Sequence, residues 1–447
     1  RDVLGSRGLG DVYKRQFPSR FAATEPVDKE LWYKAPITPM DDLHGNLRGI
    51  IEHMDDIQNL GIDVLYMTPI FQSNSCHKYD TTDYYQIDPS FGTTEDLKEL
   101  VQKAHERGMK VVLDAVYNHT GREFFAFADI LENGEKSKYR DWYFIDGFPL
   151  KSEWGEIPNF KCFGYYGGMP KLNLKNPEVE KYITDVACYW IKECDIDGWR
   201  LDVGDEISHF FWKNFRKAVK AVKKDMLIIG EIWHYAGDFL EGDEWDTVMN
   251  YPFYLNLIDL LADEKITVSQ FVQNLGYLKG RLHKNCYPLM WNLIDSHDTA
   301  RFLHLCNDNK KKQHLAAAFQ LLLPGMPMIY YGDEYAMPGA NDPDCRRGMY
   351  WDEEYQDKEM YEWYKRLIQV RKSHACIVEG ELAGIVTEDE EGTIVLIRKN
   401  GEETIAMIFN CSSSAKKFNE YTQKYNLLTE NTFDGNVEGF DAAVIVL

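Results

Sequence analysis

No stretch of this sequence reaches the roughly eighteen uninterrupted apolar residues that a membrane helix needs. Ordered cysteine patterns are also missing: the nine cysteines are odd in number, scattered, and form no CxxC pair. A disulfide framework is therefore not expected, and reduced thiols in a cytoplasmic chain are. Basic residues are short, 50 against 72 acidic ones, for a formal charge of −22. Nucleic acid demands a basic face for its phosphates, so it is excluded as a partner, and an uncharged ligand such as a sugar fits better. Internal repeats and low-complexity runs are absent, and no signal peptide opens the chain. It begins with Arg1 rather than Met, so a missing native start is an open expectation.

What is present is a large, ordinary hydrophobic fraction of 44% in 447 residues, enough for two or three folded units. From residue 17 to residue 374, short apolar strands alternate with amphipathic helices, the pattern of a parallel α/β fold. Leu47, Ile50, Ile51, Met54, Ile57 and Leu60 recur at helical spacing, and Gly61 closes that helix. Thr93 with Asp96 starts another helix, and Asn176 followed by Pro177 starts a third. Strands are expected at 63–70, 110–116, 198–203, 226–233, 247–250, 288–294 and 326–331. An eighth, needed to close a (β/α)8 barrel, belongs just before Phe17. Residues 1–16 are poor material for it, with Lys14 and Arg15 adjacent, and read either as a non-native leader or as an exposed leader over an irregular strand. A barrel lacking that strand would leave two unpaired edges.

Residues 17–376 are thus expected to form the barrel, with an inserted subdomain at about 119–173, where the connection is far longer than a βα unit requires. Residues 377–447 read as an all-β sandwich domain, with a hairpin turn at Asn400 and Gly401.

Polar residues at the carboxyl ends of barrel strands are candidates for catalysis, because the loops there build the site. Four strands end in carboxylates: Asp114, Asp202, Glu231, and Asp295 with Asp298. Arg200 and Asp202 are two apart in one strand and point to the same side, so the guanidinium would hold the carboxylate ionised, as a nucleophile requires. Glu231, flanked by Ile232 and Trp233, is expected in apolar surroundings that raise its pKa towards that of a general acid. Two carboxylates tuned apart are the minimum for glycoside hydrolysis.

The segments 114–121 (DAVYNHTG), 169–173 (MPKLN), 198–203 (GWRLDV), 230–234 (GEIWH) and 292–301 (NLIDSHDTAR) carry a resemblance. From about residue 17 onward the chain resembles glycoside hydrolase family 13, and within it the neopullulanase, cyclomaltodextrinase and maltogenic amylase group. The resemblance implies a retaining α-glucan hydrolase acting on malto-oligosaccharides, cyclodextrins or pullulan, some members also transferring sugars. It implies Asp202 as nucleophile, Glu231 as general acid/base and Asp298 as stabiliser of the transition state. His119 and His297 would bind the same sugar ring, Arg200 would support Asp202, and Tyr79 would stack beneath the ring. Asp342 and Arg346 would contact the next sugar on the non-reducing side, and Trp233 is a candidate platform on the leaving-group side. In a retaining enzyme the Asp202 and Glu231 carboxyls lie about 5–5.5 Å apart.

Structural readings stand beside these. Asp114 lies inside a strand and reads as a loop anchor, and His105, His209 and His283 receive no role. Asn118 resembles a calcium ligand of true α-amylases, but the residues after Asp202 do not match the rest of that site, so no metal and no cofactor is expected. Two departures from the group remain. The N-terminal β-sandwich domain that helps its members dimerise is not seen before the barrel, which leaves the oligomeric state open. Val203-Gly-Asp-Glu206 replaces a usual Val-Ala-Asn-Glu, which leaves the balance of hydrolysis and transfer open. An α-glucosidase, an α-glucosyltransferase on short maltodextrins, or a non-catalytic sugar-binding fragment are the alternatives.

Overall fold

A computed structural model describes residues 11–151, 156–283 and 285–447. Eight short parallel strands form the barrel: β1 (Tyr13–Gln16), β2 (Val64–Met67), β3 (Lys110–Ala115), β4 (Gly198–Leu201), β5 (Leu227–Gly230), β6 (Thr247–Val248), β7 (Trp291–Asn292) and β8 (Met326–Tyr330). They run in the order β6-β5-β4-β3-β2-β1-β8-β7, and a parallel bridge from Met249 to Trp291 joins the two ends. Alternation decides which side chains fill the interior. Val64, Tyr66, Val112, Ile229 and Met328 point inward, while Leu65, Met67, Val111, Leu113 and Ile228 pack under the surrounding helices.

The first strand corrects an expectation. Residues 1–10 lie outside the described residues, but Tyr13–Gln16, just before Phe17, pairs with both β2 and β8, so the edges that a missing strand would leave are closed. Tyr13 packs inside against Trp291, with ring centroids 4.4 Å apart, and Lys14 reaches Glu334 at 2.6 Å. The polar sequence still carries a cost. Nε and Nη1 of Arg15 and both amide atoms of Gln16 are buried without a hydrogen-bond partner among the described residues.

Capping follows the sequence. Thr93 and Asp96 form a capping box on Thr94–Glu106, Asn176 caps Pro177–Cys194, and Gly61 ends its helix at φ 98°. The helix expected from residue 47 is broken at His53 into Leu47–Glu52 and Met54–Leu60. Several strands are shorter than expected, because pairing stops where the chain turns outward to build the loops above the barrel. Above β3, the bridges His119 to Lys171, Tyr143 to Leu172 and Cys162 to Pro170 fold the long connection back on itself. They bring the MPKLN segment beside His119.

The C-terminal sheet is antiparallel and six-stranded, with a two-stranded ribbon, Lys416–Lys417 and Asn436–Val437, against one face. Val395, Ala406, Ile408 and Ile445 meet Phe418 and Phe433 on that face. The opposite face packs on the barrel, where Phe409 stacks on Phe319 with centroids 4.3 Å apart. Asn400 pairs with Glu403 across the expected hairpin turn, Gly401 taking φ 60°. No helix among the described residues is long and apolar enough to cross a membrane.

Candidate active site

The strand ends converge on a cleft of about 460 Å³ at the carboxyl face of the barrel. Eight of the residues singled out from the sequence line it: Tyr79, His119, Asp202, Glu231, Trp233, Asp298, Asp342 and Arg346. Arg200 and His297 stand behind its floor, fully buried.

Arg200 organises that floor. Parity in β4 sends Arg200 and Asp202 inward together, and Nη1 donates to Asp202 Oδ1 at 2.9 Å and to Asp114 at 3.0 and 3.1 Å. Nη2 lies 2.9 Å from Glu231 Oε1, an ion pair without hydrogen-bond alignment. One guanidinium therefore flanks both carboxylates. Asp114 also accepts from the hydroxyls of Tyr66 (2.7 Å) and Tyr79 (2.9 Å), which fits the anchoring role read for it.

Glu231 follows β5 directly. Its Oε2 accepts from the backbone N–H of Val203 at 3.0 Å, and its Oε1 from the indole of Trp233 at 3.3 Å. Val203 can present that N–H because it sits in left-handed backbone, φ 46°, immediately after Asp202. Gly230 is required beside it, since a Cβ there would come within 2.2 Å of the Trp245 ring.

These contacts reverse the expected ordering of the two pKa values. Burial pushes Glu231 up, but the charge of Arg200 and the Val203 N–H outweigh it and hold the carboxyl below its ordinary value. Asp202 goes the other way, raised well above the usual range by burial and then by the charge of Glu231. The reason is chiefly the Arg200 charge, then the Val203 N–H, set against Glu231 where only apolar walls were expected from Ile232 and Trp233. The two groups titrate as a pair in which protonating one lets the other ionise.

Asp298 is pushed up to about 6, chiefly by burial, with Arg15 opposing and Glu231 adding to it. His297 Nε2 lies 3.1 Å from Asp298 and 2.7 Å from the Tyr79 hydroxyl, and its ring is nearly parallel to that of Tyr79. Burial, reinforced by Arg15, holds His297 neutral, and burial pulls His119 down to about 4. Arg346 pairs with Asp342 at 2.9 Å and donates to the His297 carbonyl at 2.8 Å, which ties the loop after β8 to the loop after β7. Trp233 is 40% exposed and stacks on Tyr251 with centroids 3.8 Å apart.

The sequence reading missed Phe163, Met169 and His77 in the cleft wall, where Asp205, from the segment 203–206 already singled out, also lies. Met169 stood inside a quoted motif and His77 beside Tyr79, whereas Phe163, stacked on His119 at 5.2 Å, had only the aromatic richness of its segment as a signal. Asn118, read as similar to a calcium ligand, accepts from the ammonium of Lys171.

The family description "Alpha amylase, catalytic domain" matches residues 16–380. A cyclomaltodextrinase of Geobacillus thermopakistaniensis (strain MAS1) is 46% identical over 408 residues, 90% of this chain and 69% of that protein. Among solved structures, a cyclomaltodextrinase aligns with a TM-score of 0.93 at 38% identity, covering 98% of this chain and 78% of that one. A cyclic α-maltosyl-(1→6)-maltose hydrolase from Arthrobacter globiformis, in complex with its cyclic sugar, aligns with a TM-score of 0.90 at 34% identity and 99% of both chains. With the barrel, the cleft and its carboxylates in place, the chain belongs to the α-amylase family of glycoside hydrolases, family 13, and within it to the neopullulanase, cyclomaltodextrinase and maltogenic amylase group.

Proposed function

We propose that the cleft hydrolyses α-1,4 and α-1,6 glucosidic bonds of malto-oligosaccharides, cyclodextrins or pullulan with retention, through Asp202, Glu231 and Asp298. The observation that carries this reading is the Arg200 guanidinium held between Asp202 and Glu231 at the base of the cleft. It orients a nucleophile and an acid towards one anomeric centre. Retention needs the two carboxyls about 5–5.5 Å apart, a spacing that one guanidinium in contact with both can hold. Asp202 attacks the anomeric carbon as the bond to the leaving oxygen breaks, and Glu231 gives that oxygen its proton. Glu231 then takes a proton from water, which attacks the same carbon and frees Asp202. A sugar hydroxyl in place of water gives transfer.

The pair starts with its proton favoured on Asp202 and must place it on Glu231. Substrate supplies the means: a sugar stacked on Trp233 draws the indole away from Glu231 and excludes water, which raises that carboxyl. Asp298 binds the ring hydroxyls and stabilises the positive charge that develops. His119 and His297, both held neutral, bind the same ring, and Tyr79 stacks beneath it. Asp342 and Arg346 bind the next sugar.

Residues 17–376 form the catalytic unit in this reading, and 377–447 brace its helices. The nine cysteines are all free thiols, which supports a reducing, cytoplasmic setting. Release of reducing sugar from γ-cyclodextrin and pullulan, with Asp202→Asn and Glu231→Gln as controls, tests the proposal. Activity retained in either variant at more than about one hundredth of the parent rate refutes it.

A further inference from the structure

The MPKLN segment helps to place the chain in its group, yet none of the roles above explains its lysine. Lys171 is mostly buried between the loops that follow β3 and β4. Its neighbour Leu172 is tied to Asn118 by a backbone hydrogen bond of 3.0 Å, and the bridge from Lys171 to His119 fixes the register. From there the ammonium crosses to the other loop. It donates to the side-chain oxygen of Asn118, to the Glu206 carbonyl at 3.0 Å and to Glu206 Oε2 at 3.1 Å. The same Glu206 oxygen accepts from Asn118 Nδ2 at 3.3 Å, so three groups from two loops close on one cation.

Glu206 ends the tight turn Gly204–Glu206, and its backbone N–H donates to the Val203 carbonyl at 3.1 Å. Val203 is the left-handed residue whose own N–H donates to Glu231 Oε2. A non-glycine residue in that conformation persists only where its surroundings hold it. On one side the turn is backed by the buried Trp245, 2.9 Å from where a Gly204 Cβ would lie. The Trp212 indole donates to the Gly204 carbonyl at 2.9 Å and His234 lies 3.0 Å from Asp205, while the Glu206 end of the turn is held by Lys171.

We propose that Lys171 is a positioning residue for the acid/base: its ammonium clamps Asn118 and Glu206, and the clamped turn aims the Val203 N–H at Glu231. The inference rests on the reading of Glu231 as the acid/base. An N–H aimed at a carboxylate stabilises its ionised form, so loosening the turn raises the Glu231 pKa and leaves the carboxyl less well oriented. A lysine that merely glued two loops together would change stability and leave the pH behaviour of catalysis where it was.

The test compares the purified full chain with Lys171→Met, Lys171→Arg and Glu206→Gln, using γ-cyclodextrin and recording kcat and KM from pH 4.5 to 9. Lys171→Met is expected to lower kcat roughly ten-fold, as loss of a hydrogen bond to a charged group does. Its KM should move less than about two-fold, since the clamp acts on the chemical step. The alkaline limb of its kcat/KM profile should rise by about one pH unit. Lys171→Arg should restore most of the rate and return the limb. Glu206→Gln keeps the shape of the clamp but weakens its charge, and should move the limb in the same direction by a smaller amount. It decides the matter if Lys171→Met does not fold. A lowered melting temperature with an unmoved limb and unchanged kcat overturns the proposal, as does failure of arginine to restore the rate. Asp202→Asn separates the two layers: if it remains active, the reading of the site falls and the inference with it. If Asp202→Asn is inactive while the clamp variants match the parent, only the inference falls.

Discussion

Replacing Asp298 by asparagine should make the protein more stable and nearly inactive, and the stability gain should depend on pH. Folding raises this carboxyl from 3.8 to about 6, mainly because burial disfavours its charged form. A group whose folded pKa lies above its unfolded value contributes stability only while it is protonated. The penalty for keeping Asp298 ionised is absent below about pH 4, grows through the window from about 4 to 6, and is complete above that. A rise of that size corresponds to at most about 3 kcal/mol, and partial exposure of the side chain reduces this to about 1–2 kcal/mol. For a chain of this size that is a rise of roughly 1–2 °C in melting temperature. The amide of the Asp298→Asn variant carries no charge at any pH, so the gain should appear at about pH 7.5 and shrink to less than about half at about pH 4.5. Calorimetry of both proteins at the two pH values measures it, with activity on γ-cyclodextrin in parallel, where a loss of at least about a hundred-fold is expected. An Asp298→Asn protein no more stable than the parent at the higher pH, or one whose advantage is the same at both, refutes the argument that burial strains this carboxylate.

Gln16→Leu should raise the melting temperature, because both amide atoms of Gln16 are buried without partners, an arrangement costing about 1–3 kcal/mol; a fall in calorimetry would show that the amide is satisfied after all. Gly230→Ala should either prevent folding or abolish activity, since the new Cβ meets a Trp245 ring that is stacked on Phe239 and cannot yield; a soluble, active variant would contradict the geometry. Trp233→Ala removes the exposed platform on Tyr251 and the indole donor to Glu231. Product analysis with maltotriose should show transfer reduced about two- to ten-fold more than hydrolysis, and an equal loss of both would deny Trp233 a role in holding the leaving or accepting sugar.

The barrel could be read before any coordinates because its strands are apolar runs separated by capped helices, and the caps at Thr93, Asn176 and Gly61 form as written. The floor of the cleft was legible for a simpler reason. Residues two apart in a strand share a side, so Arg200 and Asp202 had to meet. The first strand was harder to read, because Lys14 and Arg15 contradict the composition of a buried strand. Only the pairing with β2 and β8 shows that Tyr13–Gln16 takes the place. The pKa order of Asp202 and Glu231 also escaped the sequence. It turns on the Arg200 charge set against Glu231 and on where the Val203 N–H points, and the left-handed turn of Val203 cannot be foreseen from its side chain, which disfavours that conformation. The same holds for Lys171, whose partners are 53 and 35 residues away in the chain and are joined by loops of irregular shape.

The measurement that bears most directly on the central claim is release of reducing sugar from γ-cyclodextrin and maltotriose by the purified chain beside its Asp202→Asn variant. The account predicts turnover by the parent, and loss of that turnover in a variant that melts cooperatively at a similar or higher temperature. An inactive parent with a cooperative melt, or an Asp202→Asn protein that still cleaves, would contradict it.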